Sequence, residues 1–339
     1  MNPSHRNIPI FIPHLGCPHQ CVFCNQRSIS GCGSFDEKDV KRQIETALET
    51  IPDRVETEIA YFGGSFTGID RDLMIRLLEL AEGYVKTGQV SGIRLSTRPD
   101  MIDGEILEIL GRYSVKTVEL GLQSMDDKVL RASGRGHTAK QAENACKEVV
   151  AAGFSLVGQM MIGLPGSDPV SECETARRIC DLGASACRIY PTVVFRDTSL
   201  MAMTESGAYQ PLSLQDAVFR AASVLKIFLE RGVSCLRIGL CANEDLISAE
   251  RAAAGANHPA LGELVWNELY YQSLYTYLKK HGFLGREVEL TVSQREISKT
   301  VGQNRRNLKR LERESHTVVR KITGVPQEHL LTARLWSRK

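Results

Sequence analysis

Ile8-Pro-Ile-Phe-Ile-Pro13 leads through His14-Leu-Gly16 into Cys17-Pro-His-Gln-Cys21-Val-Phe-Cys24. A short β-like run followed at once by three thiols places a cysteine loop at the carboxyl end of the first strand. In parallel α/β folds, chemistry collects at that end. Three thiolates leave a tetrahedral zinc site one ligand short. They can instead hold three irons of a [4Fe–4S] cluster and leave the fourth open to a ligand. A zinc knuckle completed by Cys32 or His19 is the competing reading.

Working outward, further β-like runs fall at 58–62, 92–96, 116–120, 154–161 and 186–194. Between them, 36–51, 71–85, 105–112, 139–152 and 169–182 carry apolar residues at three- and four-residue spacing. Six strand–helix alternations predict parallel βα units, hence an α/β sheet or barrel. Beyond 194 the pattern changes to a helix at 214–231, a strand at 234–240 and a helical stretch at 259–280.

The 339 residues are 42% hydrophobic and 24% charged, a composition that excludes a disordered or fibrous chain. No apolar run reaches the ~18 residues of a membrane span, and the N-terminus lacks the order of a signal peptide, so no membrane partner and a cytoplasmic location are expected. In a reducing compartment the ten cysteines read as thiols or metal ligands. Cys173, Cys180 and Cys187 repeat every seven residues, but Gly183 interrupts their helix, so they read as small buried hydrophobes more readily than as a second cluster. The formal charge of +2 is a cancellation. Residues 286–339 hold 13 Lys+Arg against 6 Asp+Glu, net +7, and the preceding 285 hold 29 against 34, net −5.

Downstream segments narrow the reading. Tyr61-Phe62-Gly63-Gly64-Ser65-Phe66-Thr67 ends the second strand, Ser96-Thr97-Arg98-Pro99-Asp100 the third and Glu119-Leu-Gly-Leu-Gln123-Ser124 the fourth. Gly134-Arg135-Gly136-His137-Thr138 opens the next helix, Met161-Ile-Gly-Leu-Pro-Gly166 ends the fifth strand, and Arg188-Ile-Tyr190-Pro-Thr192 lies on the sixth. With the cysteine triplet, this order resembles the radical S-adenosylmethionine (SAM) superfamily. Within it, the order is similar to the core of the Elongator catalytic-subunit family and, more distantly, to oxygen-independent coproporphyrinogen oxidases. The resemblance runs from about residue 8 to 265 and includes Gly255-Ala-Asn-His-Pro-Ala-Leu-Gly-Glu263.

The resemblance implies a partial (β/α)6 TIM-like barrel. It implies that Cys17, Cys21 and Cys24 hold a [4Fe–4S] cluster shielded by Phe23, and that SAM contacts come from Gly63, Gly64, Ser65, Gln123, Arg135 and Gln159. Ser96 departs from the acidic residue of the pattern, and Arg98 beside it is placed to hold a carboxylate instead. The implied chemistry is one-electron cleavage of SAM, fed by an external reductant of flavodoxin or ferredoxin type, giving a 5′-deoxyadenosyl radical that abstracts hydrogen from a substrate. Tyr190 and Arg188 are candidate catalytic residues. The plainer readings are a surface charge at Arg135, a core amide at Gln159 and an internal Glu119–Arg188 pair.

Residues 1–240 are expected to form the barrel, 241–285 a helical extension and 286–339 a small basic α+β module. In the last, a strand at 288–292, a capping-box pattern at Ser293–Glu296, a break at Gly302-Gln-Asn-Arg305, a basic helix at 306–314 and a strand at 317–322 follow the order of a KH-like RNA-binding module. Arg305 stands where the second glycine of such a loop belongs. A helix-turn-helix fits as well, with Arg305, Arg306, Lys309 and Arg310 on the recognition helix, and so does a merely solvated basic face. The 339 residues are not expected to house the acetyltransferase domain that the resembled Elongator-type family carries, so the acetyl transfer to a tRNA uridine known for that family is not expected to carry over. The expectation is a radical SAM enzyme acting on RNA or tRNA. The same chemistry on a small metabolite or porphyrin-like molecule, and a non-catalytic iron–sulfur RNA-binding redox sensor, are the alternatives.

Overall fold

Seven parallel strands form the central sheet of the computed structural model, which describes residues 6–12, 15–25, 35–51, 56–240, 252–327 and 331–336. The chain alternates β1 (Arg6–Ile12), α1 (Glu37–Thr50), β2 (Thr57–Gly63), α2 (Arg71–Lys86), β3 (Gly92–Thr97), α3 (Gly104–Gly111) and β4 (Val115–Gln123). It continues through α4 (Asp127–Ala132), α5 (Ala139–Ala151), β5 (Ser155–Ile162), α6 (Pro169–Asp181) and β6 (Ala186–Pro191). After β7 (Val193–Phe195), α7 (Ser199–Glu205) and α8 (Leu214–Glu230) comes β8 (Ser234–Ile238), then β9 (Ala252–Gly255). Strand order β1-β2-β3-β4-β5-β6-β8 makes a curled half-barrel, one strand wider than the six expected. The end of the expected first strand at 13, and Cys32 and Cys241, lie outside the described residues.

Local chemistry fixes where the elements start. Asp70, Asp103 and Ser213 accept from backbone N–H groups in the first turns of α2, α3 and α8. Thr138 with Gln141, and Asp168 with Ser171, close capping boxes on α5 and α6. Gly134–Thr138 is therefore the loop before α5. The expected sixth run, 186–194, divides at Pro191, which has no N–H for a ladder; Thr192 turns away by donating to Ile162 O, and β7 pairs antiparallel with β9 instead.

The chain divides into two units, Met1–Pro259 and Ala260–Lys339. The second holds α9 (Leu261–Lys280), β10 (Glu287–Ser293), α10 (Ile297–Val301), α11 (Arg306–Ser315), β11 (Val318–Val325) and β12 (Leu331–Leu335). β10 pairs parallel with β11 and antiparallel with β12, and Tyr271, Leu274, Leu278, Val288, Leu290 and Leu311 form its core. The Ser293 capping box does not form: Ser293 is buried, makes no cap bond, and a short 3-10 turn precedes α10. No described helix is long and apolar enough to cross a membrane.

Candidate active site

The loop that carries the cysteine triplet is pinned at the carboxyl end of the half-barrel by its own backbone. Val22 N donates to Ser133 O, Leu200 N to Val22 O, and Cys24 N to Cys21 O. At its entry, Gly64 N donates to Ile12 O and Ser65 N to Leu15 O at 2.8 and 2.9 Å. A Cβ on Gly64 would lie 2.1 Å from Leu15 O and 2.9 Å from Ile12 O, both backbone atoms. The Gly-Gly pair thus lets β2 press against the loop. Gly64→Ala should lower stability by about 1–3 kcal/mol through overpacking. Thermal melting of the variant reads this, and an unshifted midpoint would show that the close approach is dispensable.

Two guanidinium groups face the buried sulfur of Cys21. Arg135 Nη1 lies 3.2 Å from Cys21 Sγ and Arg98 Nη1 4.0 Å from it. Arg98 is held by both oxygens of Asp100, at 2.9 and 2.8 Å, and donates to Arg135 O; Arg135 donates to Gly121 O. The carboxylate that Arg98 grips is therefore that of its neighbour, Asp100. Burial pushes the Cys17 thiol up, against the opposing pull of Arg98 and Arg135. His137 is buried beside them, and burial followed by the charge of Arg135 lowers its pKa to about 4. Neither ring nitrogen of His137 has a hydrogen-bond partner.

Next to the triplet lies a cavity of about 500 Å³. Phe23, Cys24, Gly63, Ser96, Gln123, Arg135, Gln159, Arg188 and Tyr190 all line it. Gly64, Ser65 and Arg98 do not. Ser65 is fully buried, bonded to Thr97 Oγ1 at 2.7 Å and accepting from Arg98 N, so its hydroxyl braces the ends of β2 and β3. Gln123 has φ 65°, where the register slips at the end of β4, and its Oε1 is buried with no partner. Gln123 thus combines a left-handed backbone with a buried, unpaired acceptor in the wall of the cavity.

The deep wall of the cavity is charged. Glu119, with no exposed surface, accepts from Arg188 at 2.7 and 3.0 Å, from Arg94 at 2.8 Å and from Gln159 Nε2 at 2.8 Å. Arg94 reaches on to Glu58 at 3.0 Å, and the Arg188 guanidinium lies 5.4 Å from the centre of the Phe62 ring. Gln159 and Arg188 are thus tied to Glu119 while lining the cavity, and Tyr190 packs with Phe23, Val129, Met161 and Leu164. Sequence reasoning did not single out Glu58, Arg94 or Arg237. Their signal was a charge at inward-facing, alternate positions of otherwise apolar strands.

Among the described residues no three His, Cys, Asp or Glu side chains converge closely enough to hold a metal as they stand. The donor set nevertheless suits an iron–sulfur cluster. Three thiols share one braced loop, two guanidinium groups stand beside the sulfur of Cys21, and Gln123, whose buried oxygen has no partner, lines the adjoining cavity.

In the second unit, Arg305, Arg306 and Lys309 are exposed at the start of α11, whereas Arg310 is engaged. It bonds Glu268 at 2.5 Å and Glu314 at 2.9 Å and lies 3.9 Å over the Tyr271 ring. Arg305 has φ 62°, the left-handed conformation that glycine favours.

A family model described as the radical SAM superfamily matches residues 11–179, and one described as the radical SAM C-terminal domain matches 184–271. An uncharacterised protein of Methanocaldococcus jannaschii is 31% identical over 60% of this chain and 66% of its own length. The tRNA uridine(34) acetyltransferase of the same organism is 28% identical over 78% of this chain and 54% of its own length. The archaeal Elp3 of Methanocaldococcus infernus, solved without residues 1–46, superposes with a TM-score of 0.62 at 20% identity, covering 84% of this chain and 66% of that one. The chain therefore spans between about half and two thirds of these relatives.

Proposed function

Because this chain belongs to the radical SAM superfamily of enzymes, we propose that Cys17, Cys21 and Cys24 hold its [4Fe–4S] cluster, that SAM lies in the adjoining cavity, and that the substrate is an RNA, tRNA foremost. When bound, cluster and SAM supply one-electron cleavage of the sulfonium and, through it, hydrogen abstraction from substrate. The electron comes from a reductant of flavodoxin or ferredoxin type.

The protein's own part is positioning and exclusion of water. Gly63 brings backbone against the ligand, Gln123 offers its free acceptor, and Ser96, Arg135 and Gln159 present hydroxyl, guanidinium and amide groups to the same space. Phe23 shields the cysteine loop, and Tyr190 with Arg188 closes the substrate side.

The observation that carries the RNA reading is the exposed trio Arg305, Arg306 and Lys309, where the formal charge of the chain concentrates. Exposed cations spaced along a helix start suit phosphates, and one relative is named for tRNA. Its acetyl transfer is not carried over, since the chain spans only 54% of it. In the test, cluster-loaded enzyme receives SAM, reductant and deuterated tRNA without oxygen, and 5′-deoxyadenosine is analysed by mass spectrometry. Deuterium should appear in it, and replacing all three basic residues by Ala should make the salt dependence of tRNA affinity shallower by a slope of roughly 2–3. Label arriving only from a small-molecule pool, with tRNA binding unchanged in the variant, would overturn the RNA reading. The cavity, with Phe11, Phe62, Arg188 and Arg237 on its wall, favours a small anionic aromatic substrate as the second reading.

A further inference from the structure

β6 and β8 carry two matched pairs of side chains. Cys187 stands opposite Cys235 and, one step on, Arg188 stands opposite Arg237, because the register slips between Cys187 and Arg188 and Leu236 is left over. In an unbroken strand, residues 235 and 237 share a face while 187 and 188 do not. The bulge re-aims one of them, so that thiol meets thiol and arginine meets arginine on opposite faces. Arg188 and Arg237 line the cavity. The thiols therefore lie behind its wall, where Cys187 also feels Cys180 of α6. Leu236, the extra residue, is 45% exposed.

The two thiols are free and their positions are unequal. Cys187 is fully buried, whereas Cys235 is half-buried on the edge strand. Cys235 donates to Arg237 O at 3.5 Å, and the thiol paired across the strands leads the effects that push the Cys187 thiol up and the Cys235 thiol down. Directly paired neighbouring strands lie about 4.8 Å apart, within the ~4.4–6.8 Å Cα separation that a disulfide spans.

We propose that Cys187 and Cys235 are a thiol–disulfide modification site that crosslinks β6 to β8 behind the cavity wall. Cys235, the accessible member, attacks a small-molecule disulfide such as oxidised glutathione. The S–S bond of glutathione breaks, a Cys235–glutathione mixed disulfide forms, and one glutathione leaves with the proton of Cys235. Cys187 then attacks the Cys235 sulfur and expels the second glutathione, which takes the proton of Cys187. Two cysteine thiols are oxidised by two electrons, and one oxidised glutathione is reduced to two glutathiones. The crosslink fixes the bulge and with it the pairing of Arg237 beside Arg188.

Cluster-loaded protein is incubated with oxidised glutathione without oxygen, then denatured, alkylated with N-ethylmaleimide and mapped by peptide mass spectrometry without reduction. The expected product is a linked Cys187–Cys235 peptide in most chains, with two fewer alkylated thiols, reversed by dithiothreitol, while the cluster absorbance is retained. Cys187→Ser should stop at glutathione on Cys235, and Cys180→Ala should leave the crosslink intact. Maleimide on both cysteines, glutathione remaining on Cys235 of the parent protein, or a Cys180–Cys187 link would each overturn the proposal.

Discussion

Cys24→Ala, purified and reconstituted without oxygen, should lack the brown iron–sulfur chromophore and produce no detectable 5′-deoxyadenosine, a loss of at least ~10³-fold, or about 4 kcal/mol in the barrier. The reason lies in the donor count. Three thiols are the minimum that holds a cubane cluster with one open iron, and no further cysteine is described on the loop. The substitution keeps the backbone N–H that Cys24 gives the turn, bonded to Cys21 O at 3.1 Å. Cys180→Ala, a change on the outer helix α6, is the matched control and should keep both colour and turnover. Iron content, the absorbance of the chromophore and product analysis read the result, and a full cluster in Cys24→Ala would mean that the ligands are wrongly assigned.

The triplet was legible because its chemistry is local: residue type and spacing within one loop carry the whole signal. The parallel alternation was legible for a similar reason, as capped helices and apolar runs leave periodic marks. What eluded sequence reasoning depends on partners far apart in the chain. Arg98 read as a group for a bound carboxylate and Arg135 as a SAM contact, yet both reach the sulfur of Cys21, 77 and 114 positions away. Ser65 read as a ligand contact and is a buried brace. Arg310 belonged to a basic face by composition, but Glu268, 42 positions away, takes it. A one-residue bulge, which decides what Cys235 faces, leaves no periodic trace at all. Short-range patterns announce elements, whereas pairings across strands decide which side chains remain available for a ligand.

The largest stability effect is expected from Glu119→Ala. Glu119 joins β4 to β3 and β6 through Arg94 and Arg188, and the set Glu58, Arg94, Glu119, Arg188 is neutral in sum. Arg94 and Arg188 are themselves 7% and 9% exposed. Removing the shared carboxylate leaves two nearly buried guanidinium groups against one remaining carboxylate and strips Gln159 of its acceptor. Breaking a buried pair in this way costs about 3–5 kcal/mol, a large part of a domain's ~5–15 kcal/mol. The effect is readable as a lower urea midpoint by circular dichroism. Arg188→Met in the same chain removes the stranded charge, so the double variant should recover part of the loss. The pH dependence has a definite sign. Burial pushes the Glu119 carboxyl up, but the bonds from Arg188 and Arg94 outweigh it and hold the carboxyl below its ordinary range. The stabilisation is therefore present above the unfolded carboxyl's pKa of about 4.3 and is lost as pH falls through the lower folded value. In acid the parent protein should lose stability toward the level of Glu119→Ala and the gap between them should narrow. A gap that stays constant from neutral pH downward, or a single variant as stable as its parent, would show that the buried quartet does not hold the half-barrel together.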